Sequence, residues 1–175
     1  NFVSIGSEFD GAFAQYCVVK ARHLHDVSAS PLTDIEIGAM PCAYGTAHNL
    51  LTRAQVAVGE RVLVTGASGG VGLAAVQLAL LSGADVTAQC SLSKSAPLRA
   101  FGAAILSRDS TPAFQSFDVV IDVVGGDGWQ DRLDALRPGG RYATSGAVAG
   151  QMVKGDLRPV YLNDLTIYGA TRQPR

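Results

Sequence analysis

Seven consecutive residues, Gly66, Ala67, Ser68, Gly69, Gly70, Val71 and Gly72, put small side chains where a turn must hold something against bare backbone. They follow Val62-Leu63-Val64-Thr65, a β-branched and aliphatic run that reads as a buried parallel strand. They precede residues 73–81, whose apolar side chains recur at helical spacing. Against the G-x-G-x-x-G pattern, Ala67, Gly69 and Gly72 take the three small positions, and Gly66 supplies the turn freedom of the missing first glycine. A side chain at Gly69 would keep a pyrophosphate away from the amides of the helix N-terminus, and one at Gly72 would push helix and strand apart. The predicted chemistry is dinucleotide recognition. The bland alternative is a glycine-rich turn in an ordinary βα unit, and the strand and helix on either side argue against it.

The end of the second strand discriminates between dinucleotides. An NAD site places Asp or Glu there, to accept from the ribose 2′-OH and repel a 2′-phosphate. Here the strand ends Ala88-Gln89-Cys90-Ser91 with no acid, and Asp85 lies at the opposite end, where a turn role suits it. Ser91, Ser93 and Lys94 follow, two hydroxyls and a cation suited to a phosphate dianion, and Arg108 after the third strand adds charge. The competing reading makes Ser93 a helix cap and Lys94 a solvated cation. NADP(H) is therefore expected over NAD(H). Ligands of open α/β sheets lie across the carboxyl ends of the strands. The nicotinamide half is accordingly expected at Val123, Val124 and Gly125 at the end of strand four and at Thr144, Ser145 and Gly146 at the end of strand five.

Holding these residues requires alternating strands and helices. Residues 35–40 read as a helix broken at Pro41, and residues 46–54 as a second helix beyond a turn at Gly45. After the glycine turn come strand two (84–90), a helix (94–101) stopped by Gly102, strand three (104–106) and a loop (107–116). Strand four (117–124), a helix (128–136) stopped by Pro138-Gly139-Gly140, strand five (141–145) and a strand-like run at 164–169 complete the series. This order predicts an α/β fold, a doubly wound parallel sheet of Rossmann type with helices on both faces. Ahead of it, residues 12–19 read as a strand after a turn at Asp10-Gly11, β structure without a full β domain around it.

The chain of 175 residues is 47% hydrophobic and 17% charged, which is globular and long enough for one ordinary domain and part of another. A net charge of −1 without a basic patch argues against nucleic acid or an anionic membrane as partner. No apolar run approaches the ~18–20 residues of a membrane span. Cys17, Cys42 and Cys90 are widely spaced and odd in number, neither a disulfide framework nor a C-x-x-C knuckle, which suits a reducing cytoplasm. His23 and His25 lack a third ligand and read as surface residues. The start at Asn1, without Met or a leader pattern, is that expected of a piece of a longer soluble protein.

Four runs together resemble the medium-chain dehydrogenase/reductase superfamily over the whole chain: Asp10-Gly11-Ala12-Phe13-Ala14-Gln15-Tyr16, Pro41-Cys42-Ala43-Tyr44-Gly45-Thr46-Ala47, residues 59–72, and Leu136-Arg137-Pro138-Gly139-Gly140. The chain looks most like the zinc-containing alcohol dehydrogenases, and its glycine turn is equally at home among quinone oxidoreductases. The resemblance implies an enzyme in which a GroES-like catalytic domain and a Rossmann domain meet at a cleft. Residues 1–45 would be the tail of the first and residues 46–175 a C-terminally incomplete cofactor domain. Cys42 matches a catalytic zinc ligand and Thr46 a threonine beside the nicotinamide. The remaining ligands are expected ahead of Asn1, so no metal site is expected within the chain, and Cys42 reads equally as a small buried residue at the domain junction. The implied activity is hydride transfer between NADP(H) and a small carbonyl or alcohol substrate, with zinc as Lewis acid if present. Without zinc the implied reaction is reduction of a quinone or activated C=C bond. A non-catalytic nucleotide-binding redox sensor is the rival class. The resemblance further implies a homodimer, formed through the outer strand carrying Leu165 and Ile167.

Overall fold

A computed structural model describes residues 5–171 of the chain. It divides into two compact units, Asn1–Asp34 and Ile35–Arg175. The domain boundary expected after residue 45 falls inside the first long helix of the second unit.

In the first unit the expected strand at 12–19 does not form. The described residues there hold a single 3-10 turn, Ala21–His23, and one isolated bridge, Ile5 to Phe9. Phe13, Tyr16 and Val18 are at least 90% exposed. A strand needs a partner to take its N–H and C=O groups, and residues 5–34 offer none, so β-propensity alone does not order the run.

The second unit opens with α1 (Asp34–Arg53), then β1 (Arg61–Val64), α2 (Gly70–Leu81), β2 (Asp85–Cys90), α3 (Ala96–Ala100) and β3 (Ala104–Ser107). There follow β4 (Phe117–Asp122), α4 (Trp129–Asp134), β5 (Leu136–Thr144), α5 (Arg158–Leu162) and β6 (Thr166–Gly169). All six strands pair in parallel in the order β3-β2-β1-β4-β5-β6. Neighbouring residues on β1 point to opposite faces, and both faces are covered. Val62 and Val64 join Val86, Ala88, Val119 and Ile121 under α1, α2 and α3, while Leu63 joins Val120 and Tyr142 under Leu133 of α4. The predicted doubly wound sheet with helices on both sides is what forms.

Several boundaries differ from the sequence expectation. Pro41 does not break α1, which runs through it and through Gly45 for 20 residues. Proline removes one helical hydrogen bond and costs about 3 kcal/mol in a helix interior. Here α1 is anchored beyond it by buried Ala47, Leu50 and Leu51, by Tyr44 donating to Gln77 of α2, and by Asn49 donating to the Thr171 carbonyl at 2.6 Å. The expected helix at 94–101 divides into a 3-10 turn, Leu92–Lys94, and the short α3, with Pro97 in the first turn of α3. Pro138-Gly139-Gly140 is not a stop ahead of strand five but a bulge within it. Between Phe117↔Leu136 and Val119↔Arg141, β5 advances five residues against two on β4, with Gly139 at φ +74°. Helix α5 had no counterpart in the sequence reading, because five residues opening at Arg158-Pro159 carry too little periodicity. Strand β6 is the outer strand, as expected of 164–169, but Leu165 is buried in the core and Ile167 alone of the two is exposed. No helix among the described residues is long and apolar enough to cross a membrane.

Candidate functional site

The chain leaves β1 for β2 and β3 on one side and returns to β4, β5 and β6 on the other, so the topological switch point lies between β1 and β4. The glycine turn sits at that point. Gly66 is left-handed, φ +57°, and a Cβ built on it would come within 3.0–3.1 Å of Val124 and Val123. Two of the residues expected at the nicotinamide end therefore already abut the turn.

Gly69 is the N-cap of α2, in extended backbone, with no side chain capping the helix. Its N–H donates to the Gly66 carbonyl at 2.9 Å, and its carbonyl accepts from Leu73 at 2.8 Å. The amides of the first turn, at Gly70, Val71 and Gly72, have no acceptor within the helix and stand at its positive end. A Cβ on Gly69 would lie 3.3 Å from the Gly66 oxygen, a tight contact, while one on Gly70 would meet only Ala43 at 3.7 Å. At Gly72 the fit is closest: a Cβ there would be 2.2 Å from the Gly66 oxygen and 2.7 Å from Ala67 Cα. The role expected of Gly72 is thus refined, since its missing side chain lets the helix approach the turn itself. Ala67 is fully buried, and Ser68 is exposed at the edge of the turn. This cradle fits a pyrophosphate.

At the end of β2, the Ser91 and Ser93 hydroxyls lie 3.4 Å apart, and the Lys94 N–H donates to the Ser91 carbonyl. Neither the 3-10 turn nor α3 takes a side-chain cap, so Ser93 is not the helix cap of the competing reading. Arg108 donates its backbone N–H to the Cys90 carbonyl at 2.9 Å, which brings its backbone to this strand end. Its guanidinium lies 3.9 Å from exposed Asp109 instead. Gln89, which sequence reasoning noted only as the absence of an acid, is buried and donates to the carbonyls of Ser110 at 2.9 Å and Ser107 at 3.5 Å. A carboxylate cannot donate, so an acid at Gln89 would leave those carbonyls without this partner.

Val123, Val124 and Gly125 lie just beyond β4, whereas the sequence reading placed Val123 and Val124 within it. Residues 145–150 run beside them. The Ala149 N–H donates to the Val124 carbonyl at 2.8 Å, Gly125 bridges Gly150, and a Cβ on Gly146 would meet the Val123 oxygen at 3.0 Å. Thr144 donates its hydroxyl to the Gly146 carbonyl, and the Ser145 N–H reaches the Asp122 carbonyl, both at 3.3 Å. The two segments expected to flank a nicotinamide are thus adjacent.

Sequence reasoning missed what holds them. Asp122, the last residue of β4, is completely buried and accepts from the Thr65 hydroxyl at 2.5 Å, the Val124 amide at 2.8 Å and the Gly125 amide at 3.3 Å. Arg132 of α4 donates to it at 3.2 Å and to the Gly125 carbonyl at 2.9 Å, and Tyr142 of β5 donates its hydroxyl to Asp122. Burial, and then the neighbouring Asp122 charge, push the Tyr142 hydroxyl far above the usual tyrosine range. The sequence signal was slight, since Asp122 is one of two acids, with Asp118, in the run 117–124.

Cys42 and Thr46 share a face of α1, one turn apart, Cys42 exposed and Thr46 buried. Among the described residues no three His, Cys, Asp or Glu side chains gather to hold a metal ion. Catalytic zinc takes three protein ligands plus water, so the residues present do not make up a zinc site.

A parallel sheet in this order, with a glycine-floored helix N-terminus at its switch point, defines a dinucleotide-binding Rossmann fold. Comparison with known proteins narrows the class. Residues 70–174 match the zinc-binding dehydrogenase family model. The acryloyl-coenzyme A reductase of Metallosphaera sedula is 34% identical over 178 residues, covering 95% of this chain and 52% of the reductase. A thermostable alcohol dehydrogenase from Pyrobaculum aerophilum superposes with a TM-score of 0.79 at 37% identity, over 93% of this chain and 49% of that one. The quinone oxidoreductase of Thermus thermophilus, solved also as its complex with NADPH, superposes with a TM-score of 0.72 at 31% identity, over 81% of this chain and 46% of that one. The chain belongs to the zinc-binding dehydrogenase family of the medium-chain dehydrogenase/reductase superfamily, and it spans about half the length of these relatives.

The cradle makes a sharp prediction for its glycines. Gly72→Ala forces a Cβ into the Gly66 carbonyl and is expected to destabilise the chain by about 1–3 kcal/mol. Gly70→Ala, which meets only ordinary contact, leaves stability within about 0.5 kcal/mol. Urea denaturation of both variants is the check, and equal midpoints for the two would contradict the packing described.

Proposed function

We propose that the chain is the cofactor-binding part of an oxidoreductase that prefers NADP(H) and moves hydride to or from a small carbonyl or alcohol substrate. The carrying observation is the uncapped, glycine-floored N-terminus of α2 at the switch point. In this reading the first-turn amides of α2 bind the pyrophosphate, and Ser91, Ser93 and Lys94 take the 2′-phosphate. Val123–Gly125 and Thr144–Gly146 line the nicotinamide, with Thr46 beside it. A bound reduced nicotinamide supplies the hydride. Similarity to an acryloyl-coenzyme A reductase and to a quinone oxidoreductase supports a second reading, reduction of a C=C bond conjugated to a carbonyl. NADPH oxidation by the full-length protein, assayed over aldehydes, quinones and enoyl thioesters, separates the two, and turnover of none of them favours a redox sensor; the present chain alone is expected to be inactive.

For the cofactor, Gln89 in place of an acid and the adjacent serine hydroxyls support NADPH. Fluorescence titration is expected to give tighter binding of NADPH than of NADH. Lys94→Ala should weaken NADPH by about fivefold and leave NADH unchanged, as loss of one exposed phosphate contact would. Equal affinity for the two cofactors in the wild type would refute the assignment.

Assembly as a homodimer is the reading that outer strand β6 supports, through its exposed Ile167 and an edge that none of the described strands pairs. Light scattering should find a dimer that Ile167→Lys dissociates. A dimer indifferent to the lysine would require another interface.

A further inference from the structure

We infer that Asp122, with Thr65 and Arg132, is a positioning device that sets the nicotinamide-facing edge of the cleft independently of the adenosine end. The inference rests on the dinucleotide reading above and adds to it a role for three buried residues outside the glycine motif.

One carboxylate gathers the carboxyl ends of three strands and one helix. Thr65, directly after β1, donates its hydroxyl to Asp122 and accepts from the Val123 amide at 3.3 Å, so it ties the glycine turn to the segment beyond β4. The Val124 and Gly125 amides turn inward to Asp122, which leaves Gly125 at φ +63° and the Val124 carbonyl free to accept from Ala149. Arg132 closes the far side by holding both Asp122 and the Gly125 carbonyl, in space that Gly128 leaves open: a Cβ on Gly128 would lie 2.9 Å from the guanidinium. The Asp122 carboxylate therefore fixes Val124 and Gly125 directly, Val123 by way of Thr65, and residues 146–150 through them. The valine methyl groups at 3.0–3.1 Å from a Gly66 Cβ position give this edge no slack toward the turn.

Stability alone is a poor reason for such a cluster. Burying an ion pair costs desolvation that a well-packed apolar set would avoid, so its better use is to select one arrangement of the backbone. Arg132 lines a cavity with Gln89 and Arg108, but the side chains of Asp122 and Thr65 bond only within the cluster and to residues 123–125, so the effect of altering those two should be confined to one half of the cofactor.

The test compares two ligands on the full chain: NADPH, and adenosine 2′,5′-bisphosphate, which lacks the nicotinamide half. Asp122→Asn and Thr65→Val are expected to weaken NADPH on the order of tenfold, as loss of buried charged or backbone-anchoring hydrogen bonds does, and to change bisphosphate affinity by less than about twofold. Thr65→Ser, which keeps the hydroxyl, should restore NADPH binding. Should Asp122→Asn fail to fold, Thr65→Val, close to isosteric, decides by the same ratio. Equal weakening of both ligands, or of neither, overturns the positioning role. A wild-type chain that binds neither ligand overturns the dinucleotide reading itself, and the positioning role with it.

Discussion

The contact on which the rest depends is the approach of α2 to the turn that precedes it, so close that Gly72 leaves no room for even a methyl group over the Gly66 carbonyl. A helix that near the strand end brings its first amides over the carboxyl edge of the sheet, where the switch point already opens a crevice. The neighbouring packing is built to the same tolerance. Ala74, Ala75 and Ala79 of α2 are buried, small side chains that let the helix lie low on β1 and β2. Moving α2 outward to admit a side chain at Gly72 would open that layer along its length, so a one-carbon change at the turn is felt in the core.

A second constraint acts on the other side of the crevice and is polar. Parallel strands end with amides and carbonyls that have no further ladder, and those beyond β4 would be costly to bury unpaired. Asp122 takes two of the amides, Arg132 takes the Gly125 carbonyl, and the 145–150 segment takes the Val124 carbonyl. The crevice thus has one wall set by van der Waals contact and one set by hydrogen bonds. The first tolerates no added volume, and the second no lost donor.

Much of this was legible in the residues, for physical reasons that also explain what was not. Strand β1 was found because a buried parallel strand reads as an apolar run, β2 to β4 and the second half of β5 from β-branched and aliphatic residues between turn signals, and the glycine turn because a close backbone approach leaves no alternative to glycine. Asp85 opens β2 instead of ending it, as the strand pattern indicated. The strand expected at 12–19 failed because its aromatic residues satisfy a propensity and have no ladder partner. The helix break expected at Pro41 failed because the packing of Leu50 and Ala47 outweighs one missing hydrogen bond. Arg108 was placed at the right strand end, but its side chain pairs with its neighbour, a choice invisible to spacing. The Asp122 cluster was beyond reach altogether. Its members lie up to 77 residues apart, from Thr65 to Tyr142, and only the sheet order brings them together.

If the first-turn amides of α2 receive the pyrophosphate of a dinucleotide, their own resonances must report it. In an NMR titration of the isotopically labelled chain with NADPH, Gly70, Val71 and Gly72 are expected to shift the most and to saturate together at one ligand per chain. Saturable binding that leaves those three amides in place, or no binding at all, would contradict it.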